Sequence, residues 1–251
     1  MAERYYVYAI TGSDIRLPEH ISGFGGELFV LTDGDLGAVV SRVSAADTPR
    51  EGASPTMEDL VLHERLVEAI HGAGRALPVR FGAVLADAGA VTSALRRHAT
   101  ALRNDLERIG ARIEVGLNVL WGPTGGAASA AERSAPADDD PASAEAEGAA
   151  LRPGVAFMRA RQREHQRVDS ARARAQALAD ELDAALGPCA VARTRGVCPS
   201  EGLAIRDQYL LERDQANAFR AAFDEVRRRH GELRFLMSGP WPPYSFVTPL
   251  A

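Results

Sequence analysis

The residues of this chain whose types could do chemistry are few, and their spacing keeps them apart. His63 and Glu64 stand together in a stretch of helical periodicity. A zinc-protease helix needs a second histidine one turn after the first, so that both imidazoles face one metal; position 67 is Val67 instead. His63 falls on the apolar side of that helix, which fits a core or domain-interface histidine better than a catalytic one. Cys189 and Cys198 are too far apart for a metal pair, and no spacing joins them to His165 or His230, so they read as buried thiols. Ser200 and Ser238 lack the flanking glycines of a nucleophile elbow. Gly72 and Gly74 precede a strand rather than follow one, and the chain contains no lysine to serve a phosphate loop, so they read as a helix stop. No catalytic constellation emerges, and no cofactor or metal is expected.

Two segments are more unusual. In Leu77-Pro78-Val79-Arg80-Phe81-Gly82 an arginine interrupts an apolar strand, and the glycine marks a bulge or a close backbone approach. Arg80 and Phe81 are either a kink with a structural ion pair or part of a contact surface. In Gly239-Pro240-Trp241-Pro242-Pro243-Tyr244 the prolines stiffen the chain, while Trp241 and Tyr244 supply large amphipathic contact area at low entropic cost. This tail, with Pro243 between its aromatics, either folds back on its own core or meets a partner.

The elements that must position these residues follow from periodicity. Tyr5–Ile10 is aromatic and β-branched and predicts a first strand. Leu28–Leu31 and Ala38–Val43 flank Asp33-Gly34, a hairpin signal. Thr56 caps a helix with Asp59 three residues on, and Leu60, His63, Leu66, Val67 and Ile70 form its inner face. Leu77–Leu85 reads as a strand broken at Gly82. Asp87 opens a helix running to Gly110, striped by Val91, Leu95, Leu102, Leu106 and Ile109. Arg112–Trp121 alternates, with Ile113, Val115, Leu117, Val119 and Trp121 on one face. Residues 122–150 are rich in small residues, proline and acid, and read as a flexible acidic linker.

Beyond the linker, Arg152–Leu186 predicts one long helix, crowded with arginine in its first half. It projects from the domain or lies along an acidic or partner surface. Ala190–Arg195 and Leu203–Leu211 predict strands, and Phe219, Phe223 and Val226 mark the face of a further helix. Leu233–Met237 is the last strand, and the prolines that follow bar Ser238–Phe246 from a central position. The fold class is therefore α+β in two domains, residues 1–121 and 151–251 on either side of the linker 122–150. The second half, α-β-β-α-β, is compatible with a ferredoxin-like layout.

The 251-residue chain is long enough for a sizeable core, and 46% apolar with 25% charged residues is the balance of a globular protein. A net charge of −5 argues against nucleic acid as the main partner. No basic leader and no apolar run of about 18 residues is present, so no membrane span is expected and the protein reads as cytoplasmic.

The opening Tyr5–Ile10, His63-Glu64 in the first helix, Leu77–Gly82 and the closing Leu236-Met237-Ser238-Gly239-Pro240-Trp241-Pro242-Pro243-Tyr244-Ser245-Phe246 recur in that order in one family. On these segments the chain resembles the gas vesicle protein F/L family over nearly its full length. The resemblance implies two α+β domains, the first a modified ferredoxin-like one. It also implies a gas vesicle-associated accessory or minor component whose partners are the hydrophobic shell protein and other accessory proteins. Trp241, Pro243 and Tyr244 are the first candidates for that contact, with Arg80 and Phe81 second. The alternative is a small-molecule-binding or enzymatic α+β protein with a site near His63 and Arg80.

Overall fold

The computed structural model describes residues 3–19, 21–44, 55–121, 153–197 and 202–249. The expected linker 122–150 lies outside the described residues, as do Cys198 and Ser200. The aromatic run near the N-terminus becomes β1 (Arg4–Gly12), the central strand of the first sheet. Its neighbours are β5 (Leu36–Val43) on one side and β6 (Ala76–Pro78) with β7 (Val84–Leu85) on the other, all antiparallel. β4 (Phe29–Asp33) completes the sheet as a hairpin partner of β5, and the minor pair β2 (Ser22–Gly23) and β3 (Gly26–Glu27) stands beside it. The hairpin turns at Gly34, whose φ of +64° is open to glycine and disfavoured by side chains with a Cβ.

β1 is buried on both faces, so its residues alternate between two cores. Tyr6 and Tyr8 pack with Leu66, Val67 and Ile70 of α1 (Met57–Ala73). Tyr5 and Val7 pack with Val91 and Leu95 of α2 (Ala88–Arg97) and Leu102 and Leu106 of α3 (Ala99–Arg108). The α1 start is the reciprocal cap that Thr56 and Asp59 predict: Asp59 N–H donates to Thr56 Oγ1 at 3.1 Å and Thr56 N–H donates to Asp59 Oδ2 at 3.2 Å. The single helix expected over 87–110 is two helices, broken at His98, where ψ rises to 12°. The strand expected over 77–85 is likewise two, β6 and β7, with a turn between them.

The alternating strand of 112–121 forms as β8 (Ile113–Trp121), and its expected inner face is buried. Its partners are those of the second sheet. The order is β11 (Leu233–Trp241), β8, β10 (Leu203–Leu211), β9 (Ala192–Val197), antiparallel throughout. Both edges of β1 are already taken by β5 and by β6 with β7, so β8 finds its long ladders only with β10 and β11. The second sheet thus takes a central strand from residues that precede the 122–150 stretch. Helices α4 (Pro153–Leu186) and α5 (Ala216–Arg229) cover one face. Leu178, Leu182 and Leu186 meet Phe219, Phe223 and Val226 over Leu117, Val119, Ile205 and Tyr209. From the opposite face Leu210 enters the core of the first sheet, beside Leu106 and Phe246. The fold is α+β throughout, as the element order predicts.

A polar clamp also joins the two sheets. Arg213 Nη2 donates to Nδ1 and to the carbonyl oxygen of buried His71 at 2.8 and 2.9 Å, while its Nε donates to Ala111 O at 3.1 Å. Arg112 pairs with Glu212 at 2.7 Å alongside. Accepting from a guanidinium requires a neutral imidazole. Burial first, then the adjacent Arg213 charge, push the His71 pKa from 6.5 down to about 4. The unfolded chain therefore takes up this proton first as pH falls. The stabilisation is complete above about 6.5 and is lost progressively down to about 4, roughly 3 kcal/mol in all. Buried His63, whose pKa is also lowered, adds to the same limb. Urea unfolding between pH 7 and pH 4 should show this decline. His71→Gln, which still offers an acceptor to Arg213 but does not titrate, should flatten it; an unchanged slope would remove the assignment to His71.

Candidate functional site

The two unusual segments of the sequence meet on one aromatic cluster. The turn between β6 and β7 is held from several sides. Val79 N–H donates to Tyr8 O and Val7 N–H to Ala83 O, both at 2.9 Å. Gly82, at φ +89°, donates its N–H to the Tyr6 hydroxyl at 2.9 Å. The Tyr6 hydroxyl donates in turn to His63 Nδ1 at 3.1 Å, and His63 Nε2 donates to Val79 O at 3.0 Å. A carbonyl can only accept, so Nε2 carries the ring proton and Nδ1 is the acceptor.

That closed relay settles what His63 can do. Both ring nitrogens are engaged and the side chain is fully buried, with its pKa lowered chiefly by burial. No lone pair is left for a substrate proton, so this imidazole is a brace for the turn and not a base. Burial likewise raises the pKa values of Tyr6 and Tyr8. Tyr8 makes a second closed relay, accepting from Phe24 N–H at 2.7 Å and donating to Ser41 Oγ at 2.9 Å, while Ser41 Oγ donates to Phe24 O at 2.7 Å.

Phe81 lies partly buried against Tyr6, Phe24 and His63, with ring centroids 5.5–6.2 Å apart. Arg80 points outward. It is exposed and has no ion-pair partner among the described residues. His63 and Arg80 therefore do not converge on one pocket. Tyr244 packs on the same aromatic cluster as Phe81. Its hydroxyl donates to Glu64 Oε2 at 3.4 Å, and burial raises the pKa of Glu64.

The tail reaches this position because two buried carboxylates receive it. β11 runs to Trp241 through a register shift after Ser238, where Gly239 adopts φ +105° ahead of a cis peptide bond to Pro240. Pro242 and Pro243 are then buried, which takes Pro243 out of the accessible surface. Glu114, only 6% exposed, accepts from Ser245 N–H at 2.8 Å and Ser245 Oγ at 2.7 Å. Asp105, 3% exposed, accepts from Thr248 N–H at 2.7 Å and Thr248 Oγ1 at 3.1 Å. Arg108 Nη2 donates both to Asp105 Oδ1 and to Phe246 O, at 2.7 and 2.8 Å. The self-packing alternative for this tail describes Pro243, Tyr244 and Phe246.

Trp241 behaves differently. It stays 41% exposed, and Leu236 on the same strand is 45% exposed. Among the described residues β11 pairs only with β8 and is an edge of its sheet, so this flank combines open backbone with apolar side chains. Met57, Val61 and Leu62 form a second exposed apolar group on α1. Sequence reasoning missed Glu114, Asp105, Leu236 and this α1 group. Only Leu236 carried a signal, the outward phase of an alternating strand. Among the described residues no histidine, cysteine or carboxylate cluster could hold a metal ion, and no helix is long and apolar enough to cross a membrane.

Comparison with known proteins agrees over the whole length. The family model described as "Gas vesicle synthesis protein GvpL/GvpF" matches residues 4–248. Gas vesicle protein F2 of Halobacterium salinarum is 29% identical over 245 residues, spanning 96% of this chain and 91% of that protein. Gas vesicle protein L of Streptomyces sp. is 30% identical over 260 residues, spanning 96% and 92%. The crystal structure of GvpF from Anabaena sp. PCC7120 has a TM-score of 0.74 at 20% identity, covering 99% of this chain and all of that one. GvpF from Microcystis aeruginosa has a TM-score of 0.73 at 18% identity, covering 98% and 99%. At those identities the solved structures speak for the fold alone.

The carboxylate anchors give a direct test of the tail. Asp105→Ala leaves the Thr248 N–H and hydroxyl without their acceptor and should cost about 1–3 kcal/mol in urea unfolding. It should also open the chain after Trp241 to limited proteolysis. Wild-type stability together with wild-type protection would mean that the tail is held by its apolar contacts alone.

Proposed function

The chain belongs to the gas vesicle synthesis protein GvpL/GvpF family, which gives it an accessory role in gas vesicle formation, and on that premise we propose that it binds the hydrophobic shell protein during assembly. The observation that carries this reading is the flank of β11. An edge strand can accept a further strand through its free N–H and C=O groups, and Leu236 and Trp241 supply apolar contact beside that backbone. A subunit prone to aggregate through its own strands and apolar surface is matched by such a flank, because both of its liabilities are covered together. Tyr244 and Phe81, half-buried on the aromatic cluster, and the exposed Arg80 are a second candidate contact. Other accessory proteins of the vesicle are its further partners.

Exposure makes the proposal testable without unfolding the protein. Leu236→Ser with Trp241→Ala should leave the melting temperature near that of wild type, since neither side chain fills a core. In a pull-down of the co-expressed shell protein, the double variant should retain at least about tenfold less, the usual consequence of losing an aromatic anchor. Arg80→Ala should weaken retention only slightly. Full retention by the double variant would take the contact away from β11, and a large loss in Arg80→Ala would move it to the turn.

A further inference from the structure

β1 carries one residue more than the strand beside it. Val7 lies opposite Val40 and Ala9 opposite Val39, so Tyr8 is the extra residue of a β-bulge. A bulge breaks the alternation of faces. Tyr8 and Ala9, consecutive in the chain, both enter the core under α1, where Tyr8 closes its relay with Phe24 and Ser41. On the opposite face the side chains of β1 therefore run from Val7 to Ile10, with none between them. Beside Ile10 the neighbouring strand offers only Ala38. The sheet is one side chain short at this point.

The helices above do not make up the deficit. α2 presents Ala94 next to Val91 and Leu95, and α3 adds Leu102. A cavity of about 50 Å³ remains between sheet and helices. Its walls are fixed. Arg96 of α2 donates to Asp33 and Arg103 of α3 to Asp35, each at 2.6 Å, so both helices are tied to the β4–β5 hairpin. The ladder between β1 and β5 fixes the floor. Neither wall is free to settle into the gap.

Volume and lining together say what this space would hold. Every residue that lines it is aliphatic, and Val91, Leu95 and Leu102 are buried. A water fits into as little as about 10–15 Å³ but needs about two to four polar partners, so it is excluded by chemistry and not by size. An aliphatic cavity of roughly 150 Å³ takes benzene or xenon, and about a third of that volume is too small for an aromatic ring. Both limits are met by a single atom of the size of xenon, or by a hydrocarbon of a few carbons. Such a guest supplies the dispersion contacts that the walls otherwise lack.

We propose that the cavity behind the β1 bulge is a binding site for one small apolar molecule taken up from solution. It shares no residue with the β11 flank, so it stands independently of the shell-binding reading.

The test is methyl NMR on the full chain under rising xenon pressure. Shifts should saturate at the methyls of Val7, Leu95 and Leu102 and stay small elsewhere. Ala94→Leu, which extends a side chain from the helix wall into the gap, should abolish those shifts and leave the melting temperature at or above that of wild type. Leu95→Ala widens the same space. It should melt lower than wild type and gain a response to benzene, its melting temperature rising when benzene is added while that of wild type does not. If Ala94→Leu does not fold, the benzene response of Leu95→Ala decides alone. Xenon shifts that grow without saturating, or that persist in a folded Ala94→Leu variant, would overturn the proposal. So would loss of the shell protein from a folded Ala94→Leu variant in the pull-down, which would make the cavity a socket for a partner's side chain.

Discussion

A carboxylate removed from water must be met by donors, and this structure is organised around two that are. Glu114 projects from the central strand of the second sheet and Asp105 from a helix that covers the first. Neither has enough donors nearby in sequence. The C-terminal tail supplies them, with a backbone N–H and a hydroxyl for each. Because the anchors lie on elements of different sheets, meeting both fixes the path of the tail across the junction. That path places Phe246 in one core and Tyr244 on the aromatic cluster of the other face. The path of the tail is thus set by electrostatics, and the aromatic contacts follow from it.

The aromatic cluster applies the same logic with neutral groups. Three tyrosines, a histidine and a serine are carried into apolar surroundings, and those of the Tyr6 and Tyr8 relays each pass a proton-donating bond to the next. The relays leave no polar atom of His63 idle, and they lock the 79–83 turn that carries Arg80. Rigidity at the turn is what the sequence invests its polar core residues in, so the chemistry suggested by His63-Glu64 dissolves into architecture. What remains open to other molecules is a strand edge, exposed apolar side chains and the apolar cavity behind the β1 bulge.

Much of this was legible in the residues. The Thr56 and Asp59 cap, the Asp33-Gly34 hairpin, the inner face of α5 and the burial of His63 are local facts, set within a few residues, and they read correctly. β8 shows where local reading stops. Its alternation declared which face is buried, but not against what, because a strand's period says nothing about which ladder will hold it. The break at His98 escaped because the apolar stripe continues in phase across it. The partners of Glu114 and Asp105 escaped because they stand far along the chain, where only the assembled fold brings them near. Trp241 and Pro243, two apart in a stiff segment, read together in the sequence; β11 ends at Trp241, which stays exposed, and Pro243 beyond the strand is buried.

The position of β8 has one more consequence. Trp121 and Pro153 bound a stretch of chain whose two sides are already joined by non-covalent means: β8 lies between β10 and β11, and Leu210 reaches back into the first core. Covalent continuity there is not what keeps the particle whole. A protease cut between those residues would yield two fragments that remain one particle. Made separately, the fragments would be complements awaiting each other, the first baring both edges of β8 and the second lacking the strand that spans its middle.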